Sequence, residues 1–127
     1  MVAAPTTLDA RASAAEAGEH LAHAEVRAVL VCQEDRLVGV ITRTTLVREV
    51  VATGRDPRST LLGEIAEPPR FTIDADLAVE EAFRLLEEHD LERVPVVEDG
   101  RLVGVLSRSV LQRRLAEDEP LPEQAEM

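Results

Sequence analysis

Two short stretches pair a hydroxyl with an arginine where a strand-like apolar run gives way to a helix-like one. They are Thr42-Arg43-Thr44-Thr45 and Ser107-Arg108-Ser109-Val110. A hydroxyl at that junction caps the free N–H groups of the first helical turn. Those same N–H groups, the helix dipole and an adjacent guanidinium also suit an anion such as a phosphate. The two roles use the same residue types, and the residues alone leave both open. The guanidinium is the informative part, because the chain is acidic: 25 Asp and Glu against 14 basic residues, a net charge of −11. All 14 basic residues are Arg.

Other chemistry finds little to stand on. Without Lys there is no Schiff base and no phosphate-cradling P-loop, and no G-x-S-x-G turn occurs. His20 and His23 stand three apart and could share a metal, but no third ligand of clear spacing joins them, so no metal site is assigned. Cys32 is the single cysteine. It lies in the strand-like run AVLVC, where a lone thiol behaves as a small hydrophobe. The absence of a disulfide pair fits a reducing cytoplasm. The charge disfavours nucleic acid and anionic lipid. No apolar run reaches the roughly 20 residues of a membrane helix, and the N-terminus shows no secretory pattern.

The elements that position the two junctions are written twice. RLVGV occurs at 36–40 and again at 101–105, and residues 7–50 lie on 72–115 without a gap, with 16 of 44 positions identical. Each copy reads β-α-β-β-α. In the second, Val79, Ala82, Phe83 and Leu86 mark one helix face. In the first, the same face is Ala14, Ala17, Gly18 and Leu21, with SAAE at 13–16 as a capping-box pattern. Gly18 stands where the second copy has Phe83, which is either room for a close helix approach or drift in an Ala-rich chain. LVGVI and LVGVL are apolar on both strand faces, so both faces should be covered. Gly39 and Gly104 inside them suggest close backbone approach by a neighbour or ligand. A 45-residue unit cannot bury a sheet alone, so the copies should pack together with pseudo-twofold symmetry.

The expected organisation is α+β, with a first repeat at 1–52, a linker at 53–64, a second repeat at 65–117 and an acidic disordered tail at 118–127.

The sequence resembles the tandem CBS domain pair, the regulatory module named after cystathionine β-synthase. The resemblance rests on TIDADLAVEEAFRLLEEHDLERVPVVEDGRLVGVLSRSVL with its Val94-Pro95-Val96 core, on the first copy at matching positions, and on GEIAEPPRFTI, with Ala66 where many members have Met. It spans residues 7–115. It implies a homodimeric regulatory module without catalysis that binds AMP, ADP, ATP or a related adenosine compound in clefts between copies and acts on a protein partner. In the family a Thr or Ser approaches phosphate, and an Asp three residues later holds the ribose. The resemblance carries Thr42, Arg43, Ser107 and Arg108 to the phosphate. Leu8, Leu30, Ile73 and Pro95 fall where the family lines the base pocket, and are also ordinary core types. Both Asp positions are changed, to Thr45 and Val110. Thr45 keeps a hydroxyl, whereas Val110 offers nothing polar. That departure argues against ordinary adenylate binding in the second cleft and weakens it in the first. It also keeps a ligand-free interaction scaffold as the alternative.

Overall fold

A computed structural model describes residues 6–118, and the acidic stretch after them lies outside the described residues. By internal contact the described residues divide into two bodies, residues 6–70 with 99–102, and residues 71–98 with 103–118. The architecture is α+β, and each body carries one β-α-β-β-α repeat.

In the first body β1 (Thr7–Asp9), β2 (Val29–Gln33) and β3 (Arg36–Ile41) lie side by side in chain order. β1 runs parallel to β2, and β2 pairs antiparallel with β3. The parallel pair requires a crossover, which α1 (Ala14–Leu21) supplies. Its Ala14, Ala17 and Leu21 are buried, as their spacing predicts. Ser13 caps it by accepting from Glu16 N at 3.2 Å. β2 and β3 join through a two-residue turn in which Glu34 and Asp35 both take positive φ, 53° and 69°. Such turns match the twist of a hairpin. After β3 come α2 (Arg43–Leu46) and a π-helical turn, Val47–Val51, which periodicity does not reveal.

The connecting segment is part of this body. It contains a one-turn helix, α3 (Leu62–Ile65), whose Leu62 is fully buried and whose Ile65 is 5% exposed. They join Ala10, Ala14, Ala17, Val31 and Ile41 in one core. Burying such side chains contributes roughly 1.5–3 kcal/mol each. The main chain is stitched as well: Leu62 N donates to Ala12 O at 2.9 Å and Gly63 N to Ala10 O at 2.8 Å. Beyond α3, Val40 and Glu67 exchange two backbone hydrogen bonds of 2.8 and 3.0 Å. Gly39 permits this approach, since a Cβ there would lie 2.6 Å from Ala66 Cβ and 3.0 Å from Glu67 O. The close neighbour expected at Gly39 is therefore the connecting segment itself.

The second body places β4 (Ile73–Asp74), β5 (Arg93–Glu98) and β6 (Arg101–Ser107) side by side, with β4 parallel to β5. α4 (Val79–Glu88) is the crossover and α5 (Arg108–Asp118) follows β6. Ala82 and Leu86 are buried among Ile73, Val94, Val96 and Leu111, with Phe83 packed against them. Val79, expected on the same face, stays 38% exposed. The β5–β6 turn is Asp99-Gly100, again with positive φ at both residues.

One expectation fails. The strands LVGVI and LVGVL are not covered on both faces: Val38 is 42% exposed and its copy Val103 43%. In the first repeat the reason is a β-bulge. Cys32 faces Leu37 while Val31 faces Gly39, so Val38 has no opposite residue and turns outward. Gly18 needs no special approach either, because a Cβ there would meet only Leu46 Cδ1, at an ordinary 3.8 Å.

Candidate functional site

The first junction is built by β3 running directly into α2. Thr42 is extended, with φ −121° and ψ 176°, and caps the helix. Its Oγ1 accepts from Thr45 N at 3.3 Å, while Thr42 N donates to Thr45 Oγ1 at 3.1 Å. This is a reciprocal capping box with threonine at both ends. Thr45 is fully buried, and its hydroxyl donates to Glu67 Oε2 at 3.0 Å. The same carboxylate pairs with the Arg48 guanidinium. The place where the family has an Asp is thus a buried hydroxyl with a carboxylate bound to it, delivered from the segment after α3. Glu67 remains 45% exposed. No spacing rule joins residues 45 and 67, so nothing in the sequence points to this acid.

Arg43 follows the cap and is exposed. Its Nη2 donates to His23 O at 2.9 Å, and among the described residues it forms no ion pair. His23 itself lies beyond the end of α1, so it does not share a helix face with His20. Among the described residues no group of three His, Cys, Asp or Glu could hold a metal ion.

The second junction differs in charge. Ser107, 4% exposed, caps α5 by accepting from Val110 N at 3.1 Å. Arg108 is occupied: Nη1 lies 3.5 Å from Asp90 Oδ1 and Nη2 3.7 Å from Glu92 Oε1. Its backbone N donates to Glu92 O at 2.7 Å. Val110 lines an apolar cavity of about 300 Å³ together with Ile73 and Leu106.

The remaining candidates are spread through the cores. Leu30 is 6% exposed in β2, beside β1, where half-buried Leu8 packs on the first core. Ile73 is 6% exposed in β4 and Pro95 is half-buried in β5. Within the first body the structure brings together Thr42 and Thr45 and adds Glu67 and Arg48. Within the second it brings together Ser107 and Val110 and adds Asp90 and Glu92.

Two repeats of this topology, each with a strand running into a capped helix, define the class. The family model for the CBS domain matches residues 1–52 and 62–117, and the chain belongs to that family. CBS-domain proteins are generally regulatory, ligand-binding modules. A similar protein is Hypoxic response protein 1 of Mycobacterium tuberculosis, 32% identical over 102 residues, which are 80% of this chain and 71% of the relative. Among solved structures, Hypoxic Response Protein I with two coordinated zinc ions superposes with a TM-score of 0.73 at 30% identity, covering 90% of this chain and 94% of that one. The hexameric CBS-CP12 protein from bloom-forming cyanobacteria reaches a TM-score of 0.59 at 26% identity, covering 99% of this chain and 76% of that one. No helix among the described residues is long and apolar enough to cross a membrane.

Proposed function

We propose that the chain is a non-enzymatic, cytoplasmic regulatory module that binds an adenine nucleotide or related anion at the Thr42–Thr45 junction and modulates a protein partner as a homodimer. One observation carries this reading. Arg43 stands at the first residue of a helix, exposed and without a carboxylate partner among the described residues, in a chain of net charge −11. A guanidinium that carries no acid partner, beside the first turn of a helix, suits a phosphate-type anion. Glu67 adds an accessible carboxylate alongside Thr45, able to accept from ribose hydroxyls in place of the lost Asp. The second junction is the weaker site, since Arg108 is held by two acids and Val110 is apolar. Support for self-association comes from a hexameric relative of the same fold.

The test is a thermal-shift panel of AMP, ADP and ATP at millimolar concentration. A ligand at a hundredfold over its Kd stabilises the folded state by about 2.7 kcal/mol. The expected result is a rise in Tm that Arg43→Ala abolishes and Arg101→Ala, a change in the exposed start of β6, does not. Flat shifts across the panel reject the nucleotide. They favour the second reading, a ligand-free dimeric scaffold, for which the buried, fully engaged Thr45 and the apolar Val110 speak. Native mass spectrometry separates the two: a dimer carrying a retained nucleotide eliminates the scaffold.

A further inference from the structure

A hydroxyl has a single proton, and at the first junction its direction can be followed. Thr45 Oγ1 lies 3.0 Å from Glu67 Oε2, and an ionised carboxylate only accepts, so the Thr45 proton points to Glu67. Toward every other neighbour Thr45 Oγ1 is then an acceptor. It accepts from Thr42 N at 3.1 Å. Thr42 Oγ1 also stands 3.1 Å away, within hydrogen-bond reach, and a favourable contact between two oxygens needs a proton between them. Since the Thr45 proton is already directed at Glu67, that proton belongs to Thr42. The two hydroxyls form a chain that runs from Thr42 through Thr45 and ends on Glu67.

The direction decides what the cap can offer a ligand. Thr42 Oγ1 accepts from Thr45 N at 3.3 Å and gives its proton to Thr45, so a ligand meets a lone pair there. A phosphate oxygen at that place faces another acceptor, whereas a donor is welcome. Arg48 pairs with the same carboxylate and holds it where the chain ends. The second junction is built differently. Ser107 Oγ accepts from Val110 N at 3.1 Å, and Val110 has no hydroxyl to draw the Ser107 proton. The aligned caps of the two repeats therefore differ in polarity.

We infer that Glu67 is a positioning residue for ligand choice: acting through Thr45, it holds the Thr42 hydroxyl as an acceptor, so that this cap takes a sugar hydroxyl and turns phosphate away. The phosphate of a bound nucleotide is then left to Arg43, which is exposed and forms no ion pair among the described residues. The expectation that Thr42 itself approaches phosphate is thereby reversed. The choice of ligand rests on the nucleotide reading above, while the direction of the chain does not. Nor is charge the whole cause. Thr45 is neutral, yet removing its hydroxyl releases the Thr42 proton with Glu67 untouched.

The quantity to measure is the phosphate increment, the Kd for adenosine divided by the Kd for AMP, by isothermal titration calorimetry on the full chain. The ratio cancels what a variant does to the nucleoside. Glu67→Gln lets residue 67 donate to Thr45 and so reverse the chain. Thr45→Val keeps the acid and the side-chain shape but breaks the chain. Both should raise the ratio about tenfold, as one hydrogen bond to a charged group would. Glu64→Gln removes the same charge from the same segment, where it faces Arg55, and should leave the ratio unchanged. A rise with Glu67→Gln but not with Thr45→Val means simple repulsion between acid and phosphate, and overturns the inference. An unchanged ratio in both overturns it too. A second measurement needs no ligand. Thr42 and Glu67 share no hydrogen bond among the described residues. Thr42→Ala and Glu67→Gln should nevertheless be non-additive in urea unfolding, and become additive in a Thr45→Val background. Additivity without Thr45→Val overturns the chain. Non-additivity with no binding of either compound to any variant rejects the nucleotide reading and upholds the chain. Circular dichroism verifies the fold of every variant.

Discussion

An acid at position 45 would stand against an acid that is already there. Thr45 Oγ1 donates to Glu67, which also holds Arg48. An Asp at the fully buried position 45 would add a second carboxylate with no further cation among its neighbours. Thr45→Asp is therefore expected to cost at least about 2 kcal/mol in urea unfolding. Glu67→Gln should recover part of that loss; equal cost in both backgrounds would refute the arrangement. The sequence displays the missing Asp but not its reason, because Glu67 reaches the site only through the backbone pairing of Val40 with Glu67. Cys32 illustrates the opposite case, a residue whose environment its neighbours announce. Burial pushes its thiol pKa up, with the charges of Asp35 and Asp9 adding to it. The folded chain then binds the thiol proton more tightly than the unfolded one. Stability should hold below the unfolded thiol's pKa of about 8.5 and fall as pH rises beyond it. Iodoacetamide at pH near 8 should alkylate native Cys32 far more slowly than the urea-unfolded chain. Cys32→Val, the residue found at the matching position 97, should remove its share of the alkaline slope.

At the scale of elements, the two glycines of the first repeat answer different demands. Gly18 lies inside α1 with space for a methyl group. Gly18→Ala should stabilise by about 0.5–1 kcal/mol, the usual cost of a helical glycine. Gly39→Ala should destabilise by about 1–3 kcal/mol, because the added carbon collides with Ala66 and Glu67 across a backbone pairing. Differential scanning calorimetry of both variants checks the opposite signs. The strands and long helices were legible because alternation and 3.6-residue spacing are written into them twice. α3 was not, for it has one turn and no side-chain cap, and its partners lie about 50 residues upstream. The bulge that exposes Val38 escaped for a related reason, since LVGV reads as apolar on both faces whichever residue is left unpaired.

For the molecule as a whole, the duplication was the strongest sequence signal and the charge the next. A net charge of −11 on a folded chain is self-repulsive. The described ion pairs are mostly between half-exposed side chains, and such pairs offset little of that repulsion. Raising sodium chloride from low to physiological concentration should therefore raise Tm, as counter-ions shorten the reach of the repulsion. A Tm that falls with salt would mean that attraction between charges dominates.

The first body is completed from outside its own repeat. Its interior lacks Leu62 and Ile65 until the chain has been made beyond residue 65, and Val40 of β3 lacks its backbone partner until Glu67 is present. During synthesis the nascent first repeat must then wait on the ribosome, its alanine-lined groove wet, while the next fifteen or so residues are added. At about 5–20 residues per second that is roughly one to three seconds. Over that interval a chaperone meets an unfinished domain, and the arrival of a single helical turn ends its access.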